Sequence, residues 1–265
     1  MKTSPSQRYQ MFASSLANGL FVMTCFKVGE PALSNREFAE RTGLSKATVS
    51  RLTYTLCELG FLKYDADDKR YRLGSATLSA GYPLLANMTI RQLARPWMKE
   101  LADQAHGSVS LGMRDRFSMV YVETCRGHET IAFRPDIGAS LPLLDTAMGR
   151  AWLAGISEAQ RREVLQRIQS EEPIAWQKHG RAVQAALRSF SKVGVCFSQG
   201  DWQHDIHAVA APMRLAVDGE TLVFTCGVPA VVLGLRTLED DVAPALLHMV
   251  REVERAYLAQ CDVAP

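Results

Sequence analysis

Four side chains within seven residues have the chemistry of metal ligands: Asp201, His204, Asp205 and His207. Two imidazoles and two carboxylates can together hold a divalent cation. The two histidines are separated by an odd number of residues, however, so in an extended strand they would face opposite sides. They also lie where we expect a loop leading into a strand, and solvated polar residues are normal there. We predict no metal and no cofactor, with a metal site at this cluster as the open alternative.

The sequence contains no familiar catalytic signature. It has no G-x-S-x-G elbow, no glycine-rich nucleotide loop, no P-loop and no H-E-x-x-H. Its six cysteines are far apart and form no C-x-x-C pair, which fits neither a zinc finger nor a small disulfide framework. We therefore expect free thiols in a reducing cytoplasm, no catalytic residues and no enzyme. An enzyme built on the second half of the chain stays the alternative.

Basic side chains are concentrated at the start of the chain. Residues 1–75 carry eleven Lys or Arg against seven Asp or Glu, a net +4, whereas the whole chain of 265 residues has a net charge of +2. This imbalance suits a partner with phosphates at one end only. No segment has the ~18 uninterrupted apolar residues that span a bilayer. The apolar stretch from Met11 to Val28 is predicted to be a helix rather than a signal peptide, so we expect a soluble, cytoplasmic protein with no membrane partner.

Two helix starts separated by a glycine follow that first helix. Ser34 and Glu37 have the spacing of a capping box, in which each side chain accepts from the other residue's amide. Gly43 can take the left-handed conformation that ends the short helix. Ser45 then has the character of a second N-cap. This order predicts a helix-turn-helix.

The second of these helices is predicted from about Lys46 to Leu59. Val49, Leu52, Leu56 and Leu59 form one inward stripe. A hairpin of residues 61–64 and 70–73 follows, with basic residues near its tip, which makes the module a winged helix. The residues predicted to contact phosphates and base edges of double-stranded DNA are Ser45, Lys46, Ala47, Thr48, Ser50, Arg51, Tyr54, Lys69 and Arg70. A protein-interaction module with a degenerate helix-turn-helix is another alternative.

The rest of the chain reads as strands, then helices, then strands, which is typical of an α+β sheet with helices packed on it. A helix with Pro96 inside it is predicted over Thr89–Ala105, buried through Ile90, Leu93, Trp97 and Leu101 and kinked or interrupted at the proline. Strands are predicted at 109–114, 119–124, 131–133, 195–198, 207–215 and 221–228, the last two joined by the turn Asp218-Gly219. Helices are predicted at 147–154, from the capping box at Ser157, at 181–192 and at 238–259.

These motifs resemble the IclR family of bacterial transcriptional regulators. The resemblance is carried by residues 42–52 (TGLSKATVSRL), 71–74 (YRLG), 141–151 (LPLLDTAMGRA) and 208–212 (AVAAP), so it spans nearly the whole chain. It implies a winged helix-turn-helix at 1–75, a linker helix at 76–105 and a GAF- or profilin-like antiparallel effector-binding domain at 106–265. Asp201, Asp205 and Ala208 stand where the family usually has glutamate, glycine and cysteine, which leaves the ligand's identity open.

The resemblance also implies what the protein does. The expected function is a ligand-responsive regulator of a catabolic operon for a small organic or aromatic acid, acting as a homodimer or homotetramer on operator DNA. By position, the implied effector-binding residues are Ala147, Met148, Ser198, Ile206, Ala208, Thr225 and Gly227. Exposed amides at a helix start bind carboxylates, and the hydroxyls of Ser198 and Thr225 can donate hydrogen bonds.

Overall fold

The computed structural model describes residues 12–127, 136–233 and 237–261. Within it the chain divides into two compact units, with the boundary between Asn87 and Met88. The strand predicted at 131–133 lies outside the described residues. The segment predicted as a linker helix, 76–105, includes parts of two helices, one that ends at Asn87 and one that begins at Thr89.

The first unit consists of helices and one antiparallel hairpin. Its described elements are α1 (Ser14–Met23), α2 (Asn35–Thr42), α3 (Lys46–Glu58), β1 (Leu62–Asp65), β2 (Arg70–Leu73) and α4 (Ser75–Asn87). The strands pair from Leu62 opposite Leu73 to Asp65 opposite Arg70. Helix, helix and hairpin in this order confirm the predicted winged helix-turn-helix.

Both predicted helix starts have the expected caps. The amide of Ser34 donates to the Glu37 carboxylate at 2.8 Å, and the Ser34 hydroxyl accepts from the Glu37 amide. Gly43 ends α2 with a φ of 70°, a left-handed backbone conformation that residues other than glycine rarely adopt. Ser45 caps α3 by accepting from the Thr48 amide at 3.2 Å. These local signals fix where the two helices meet.

The core of the first unit lies where α1, α2, α3 and the hairpin meet. Phe38 and Val49 are fully buried there, and the Phe38 ring lies 5.9 Å from that of Tyr71 on β2. Leu59 was predicted to belong to this core and does not, because it follows the last turn of α3 and is 61% exposed. Thr53 is buried instead, with its hydroxyl donating back to the Val49 carbonyl.

The second unit is built on a six-stranded antiparallel sheet. Its described elements are α5 (Thr89–Gln104), β3 (Ser108–Asp115), β4 (Ser118–Arg126), β5 (Ser140–Pro142), α6 (Ala147–Gly155), α7 (Glu158–Glu171), α8 (Pro173–Val193), β6 (Cys196–Gln199), β7 (Ile206–Val217), β8 (Glu220–Pro229), the four-residue helix α9 (Ala230–Leu233), a π-helical turn (Leu238–Val242) and α10 (Ala243–Cys261). The strand order is β5-β4-β3-β8-β7-β6. This confirms the α+β class.

The helices cover both faces of the sheet. Helices α6, α7 and α8 share one core with Tyr121, Ala210 and Val223, whereas α5 and α10 contact each other and the sheet. Alternation along β8 sends Val223 to the first face and Phe224 to the second, and both are fully buried. The sheet is therefore a central layer, with side chains buried on both sides.

Three helices differ from their predicted form. Helix α5 runs through Pro96 without interruption. Its buried positions are Ile90, Ala94, Met98, Leu101 and Ala102, whereas Leu93 and Trp97 are only half-buried. Pro96 is exposed, so its ring does not face the core. Helix α8 begins eight residues earlier than predicted, at Pro173, because proline at the first helical position needs no hydrogen-bond acceptor. The last helix begins with a π-helical turn.

Candidate functional site

A row of four residues crosses the sheet and forms the floor of a pocket. Ser198 on β6 lies opposite Ala208 on β7, Ala208 lies opposite Gly227 on β8, and Gly227 lies opposite Ser108 on β3. Directly opposite residues in a sheet share a face, so all four project towards α6. Two hydroxyls separated by small residues give this floor both polar groups and room.

The first turn of α6 forms the wall of the pocket. Thr146 is the N-cap, and its hydroxyl accepts from the Gly149 amide at 3.1 Å while donating to the Pro142 carbonyl at 2.8 Å. The amides of Ala147 and Met148 belong to the first helical turn and have no acceptor within the helix. Both residues line the pocket. The positive end of the helix dipole and these amides make the wall attractive to an anion.

A loop of residues 200–205 closes the pocket from the side. Trp202 and Gln203 of this loop line the cavity, as does Ile206 at the start of β7. The cavity has a volume of about 30 Å³, which is room for two or three water molecules. The described residues that line it are Ser108, Tyr121, Leu141, Thr146, Ala147, Met148, Ser198, Trp202, Gln203, Ile206, Ala208, Thr225 and Gly227.

All seven residues that the sequence placed at an effector site therefore lie in one pocket. The sequence missed the other six. Tyr121 and Ser108 could have been found from strand alternation once the register was known. Trp202 and Gln203 gave no such signal, because the path of a loop depends on contacts far along the chain.

The two hydroxyls singled out by the sequence are already engaged. Ser198 Oγ donates to the Asp145 carbonyl at 3.1 Å, and Thr225 Oγ1 donates to the Val209 carbonyl at 3.1 Å. Each hydroxyl has one proton, so neither is a free donor as predicted. Both retain acceptor capacity and can donate to a ligand only by giving up a backbone partner. Tyr121 offers a further phenolic hydroxyl, and burial raises its pKa, so it stays protonated.

Arg150 joins the start of α6 to β6 and to the closing loop. Its side chain is buried and donates from Nε to the Leu144 carbonyl and from Nη1 to the Phe197 carbonyl, each at 3.0 Å. Nη1 also lies 2.6 Å from Asp201 Oδ2. The ion pair thus connects two walls of the pocket.

The acidic and histidine cluster near residue 201 is dispersed. Asp201 faces Arg150, the side chains of His204 and Asp205 are almost fully exposed, and His207 lies in the strand pairing of β7. Within residues 12–127, 136–233 and 237–261, no group of three or more His, Cys, Asp or Glu side chains is arranged to hold a metal ion.

In the first unit, α3 and the hairpin expose most of the residues predicted to face DNA. Ser45, Lys46, Ala47, Ser50, Arg51, Tyr54 and Lys69 are all exposed. The side-chain amide of Asn35 lies 3.4 Å from the Ser50 hydroxyl and 3.3 Å from the Tyr71 hydroxyl, so it links α3 to the hairpin.

Two of the predicted DNA contacts have other partners. Arg70 donates to both carboxylate oxygens of Glu37, at 2.7 and 2.8 Å, and to the carbonyl of Ala32. This network turns its guanidinium towards α2, and a phosphate contact by Arg70 stays a prediction. Thr48 is half-buried and its hydroxyl lies 2.9 Å from that of the cap Ser45.

Comparison with known proteins agrees with both halves of this geometry. Residues 83–256 match the family model described as bacterial transcriptional regulator IclR C-terminal, and residues 15–66 match the IclR helix-turn-helix domain. The chain belongs to the IclR family. The HTH-type transcriptional regulator TsaQ1/TsaQ2 of Comamonas testosteroni is 32% identical over 242 residues, which cover 91% of this chain and 87% of that protein.

Solved structures of IclR proteins share the fold. An IclR family transcriptional regulator from Brucella abortus is 40% identical, with a TM-score of 0.82 and 96% of each chain covered. An IclR homologue of Microbacterium hydrocarbonoxydans, complexed with 4-hydroxybenzoate, has the same fold at 20% identity and a TM-score of 0.71, covering 92% of this chain and 99% of its own.

The chain is thus a ligand-responsive, DNA-binding transcriptional regulator of the IclR type, with an N-terminal helix-turn-helix unit and a C-terminal effector-binding unit. The family is one of transcriptional regulators. Among the described residues, no helix combines the length and the apolar composition needed to cross a membrane.

Proposed function

We propose that this regulator binds a small organic or aromatic acid in the pocket between the sheet and the first turn of α6, and so controls an operon that catabolises such an acid. The observation that carries the proposal is the pocket itself. Ala147 and Met148, in the first turn of α6, line it together with a floor of small residues and hydroxyls. Neither the floor nor the wall contributes a carboxylate to the lining.

The charge preference of the pocket follows from the helix terminus. None of the described residues that line it is a lysine or an arginine, so a bound anion is stabilised by the two amides and the positive end of the α6 dipole. Tyr121 lines the cavity with a neutral phenol, whose hydroxyl is hydrogen-bonded to Ser110. Leu141 and Met148 supply apolar surface for the carbon skeleton of the acid.

A matched pair of ligands tests this chemistry. Calorimetric titration with 4-hydroxybenzoate and other small carboxylates, each beside its carboxamide, compares an anion with a neutral molecule of nearly the same shape. At least one carboxylate is expected to bind more tightly than its amide, and to change the affinity of the protein for promoter DNA. Equal affinity for acid and amide throughout the panel would contradict the assignment.

The exposed face of α3 is the surface that we propose for DNA. Lys46, Ser50, Arg51 and Tyr54 offer donors for phosphates and base edges, Ala47 offers a methyl contact, and Lys69 at the hairpin offers a second phosphate contact. Ser45 and Thr48 are engaged at the start of the helix, where their hydroxyls lie 2.9 Å apart. Arg70 is left out because Glu37 engages it.

We also propose that the protein works as a homodimer or a higher homo-oligomer. One helix-turn-helix reads only a short half-site, so specific recognition needs two copies. In the first unit, Leu16 and Leu20 of α1 and Leu59 after α3 are exposed and line an apolar groove with a volume of about 650 Å³. An apolar surface of this kind favours burial against a second copy.

A further inference from the structure

The closing loop of the second unit is held at both ends and at one point between them. The Gly200 amide donates to the Ile206 carbonyl at 3.2 Å, and the Ile206 amide donates to the Gln203 carbonyl at 3.0 Å. At its far end the Asp205 carbonyl accepts from the Ala230 amide at 2.8 Å. Between these ends, the Asp201 carboxylate reaches Arg150 on α6.

The ion pair between Asp201 and Arg150 joins a buried cation to a half-exposed carboxylate. The Arg150 side chain is 5% exposed and that of Asp201 is 40% exposed. Among the described residues, Asp201 is the acidic partner of this guanidinium; its other two bonds go to backbone carbonyls. A buried cation without its counter-charge is costly, so moving the loop away from α6 has an energetic penalty. The loop therefore has a preferred closed position with a defined contact to break.

The closed position leaves too little space for an organic acid. The cavity of about 30 Å³ is far below the roughly 150 Å³ that accommodates a benzene ring in a protein interior. The floor is a continuous sheet and the wall is a helix terminus, both with regular hydrogen bonds. Among the residues that the structure describes, the remaining wall is the loop, whose Trp202 and Gln203 line the side of the pocket.

We propose that the Asp201–Arg150 ion pair is a latch that keeps the loop of residues 200–205 closed over the pocket, and that the latch must release before an acid can enter. This inference rests on the proposed function of the pocket. Asp201 acts as a positioning residue, because it sets the place of Trp202 and Gln203 without lining the cavity itself. The minor, open form is then the binding-competent one, and its population limits the apparent affinity for effector.

Hydrogen exchange in the ligand-free protein tests the latch. Asp201→Asn removes the charge with little change in shape, and the Gly200 and Ile206 amides should then exchange roughly tenfold faster, as expected for a partly buried ion pair. Asp201→Glu keeps the charge and should restore most of the protection. Asp205→Asn is the matched control, since Asp205 is in the same loop with its side chain 95% exposed and paired only with its neighbour His204 among the contacts that the structure describes.

The amide of Phe224 in the central strand β8 serves as the internal reference. A general loss of stability would raise exchange there by the same factor, whereas the latch predicts a rise confined to the loop. Unchanged exchange at Gly200 and Ile206 in Asp201→Asn, an equal rise at Phe224, or an equal rise in Asp205→Asn would each overturn the proposal.

Quenching of Trp202 fluorescence by acrylamide gives a second readout. The fluorescence of Trp202 is obtained by subtracting the spectrum of the Trp202→Phe variant, made both in wild type and in Asp201→Asn. Acrylamide should quench this fluorescence several-fold more readily in Asp201→Asn than in wild type. Equal quenching would count against the latch. Neither measurement uses an effector. A failed latch therefore leaves the organic-acid assignment standing, and a failed acid titration leaves the loop result intact.

Discussion

Adding one methyl group behind the pocket should block it without touching its lining hydroxyls. A Cβ on Gly112 of β3 would lie 2.5 Å from Met148 Sδ and 2.9 Å from Met148 Cε. Ordinary van der Waals contact needs about 3.5–4.0 Å, so in Gly112→Ala the end of the Met148 side chain must retreat by about 1 Å or more. Met148 lines the pocket, and the cavity of about 30 Å³ has no spare room.

The size of the effect follows from this overlap. The flexible methionine can move, but the Val120 carbonyl at 3.1 Å is backbone, so we expect a stability loss of about 1–3 kcal/mol, as for other overpacked cores. Effector affinity should fall at least about tenfold, which is about 1.4 kcal/mol. Operator affinity without effector should be unchanged, since the helix-turn-helix belongs to the other unit.

Calorimetry with a carboxylate that binds the wild type measures the loss directly. The compensating control is Gly112→Ala combined with Met148→Ala, which restores space at the same point and should recover much of the affinity. Wild-type affinity in Gly112→Ala, with the fold intact by circular dichroism, would refute the placement of the effector beside Met148.

Three further outcomes are expected. The double variant Ser198→Ala, Thr225→Val should bind effector more weakly by about 1 kcal/mol per hydroxyl that contacts the acid, as measured by calorimetry, while its operator binding without effector survives. Equal effector affinity in wild type and double variant would show that neither hydroxyl contacts the acid. Hydrogen bonds from Ser34, with Arg70 nearby, hold the pKa of Glu37 below its usual 4.5. The stability that Glu37 adds over Glu37→Gln should therefore be full above that pH and be lost as the pH falls through the lowered pKa; a difference independent of pH in urea unfolding would contradict this. Light scattering should give a mass well above 29.3 kDa for wild type and a lower one for Leu20→Asp, and a wild-type monomer at micromolar concentration would exclude the proposed dimer.

Local signals in the sequence predicted much of the fold. The capping boxes at Ser34 and Ser157, and the hairpin turn at Asp218-Gly219, are satisfied within a few residues, so they are readable without knowledge of the rest of the chain. The order of strands and helices was also readable from local patterns, and it predicted the α+β class that the structure confirms. The effector-site residues came from the family resemblance, and the structure brings them into one pocket.

Some errors are local, such as the start of α8 at Pro173, and others concern contacts between distant segments. Periodicity assigned Leu93 and Trp97 to the buried face of α5, but alanine and methionine at Ala94 and Met98 fit against the sheet instead. Apolar character alone does not distinguish these neighbouring faces. The partner of Arg70 and the path of the loop carrying Trp202 depend on residues more than thirty positions away or on the packing of a whole layer.

The central claim is that the exposed face of α3 reads DNA. The most direct test is a gel-shift titration of Arg51→Ala and wild type on the promoter fragment that wild type binds, at two salt concentrations. The control is Arg188→Ala, because Arg188 is an exposed arginine of α8 in the other unit. Arg51→Ala should lose about 1–3 kcal/mol of specific affinity, and wild-type affinity should fall steeply as salt rises, while Arg188→Ala matches wild type. Equal affinity of Arg51→Ala and wild type for that fragment, or wild-type binding insensitive to salt, would contradict the account.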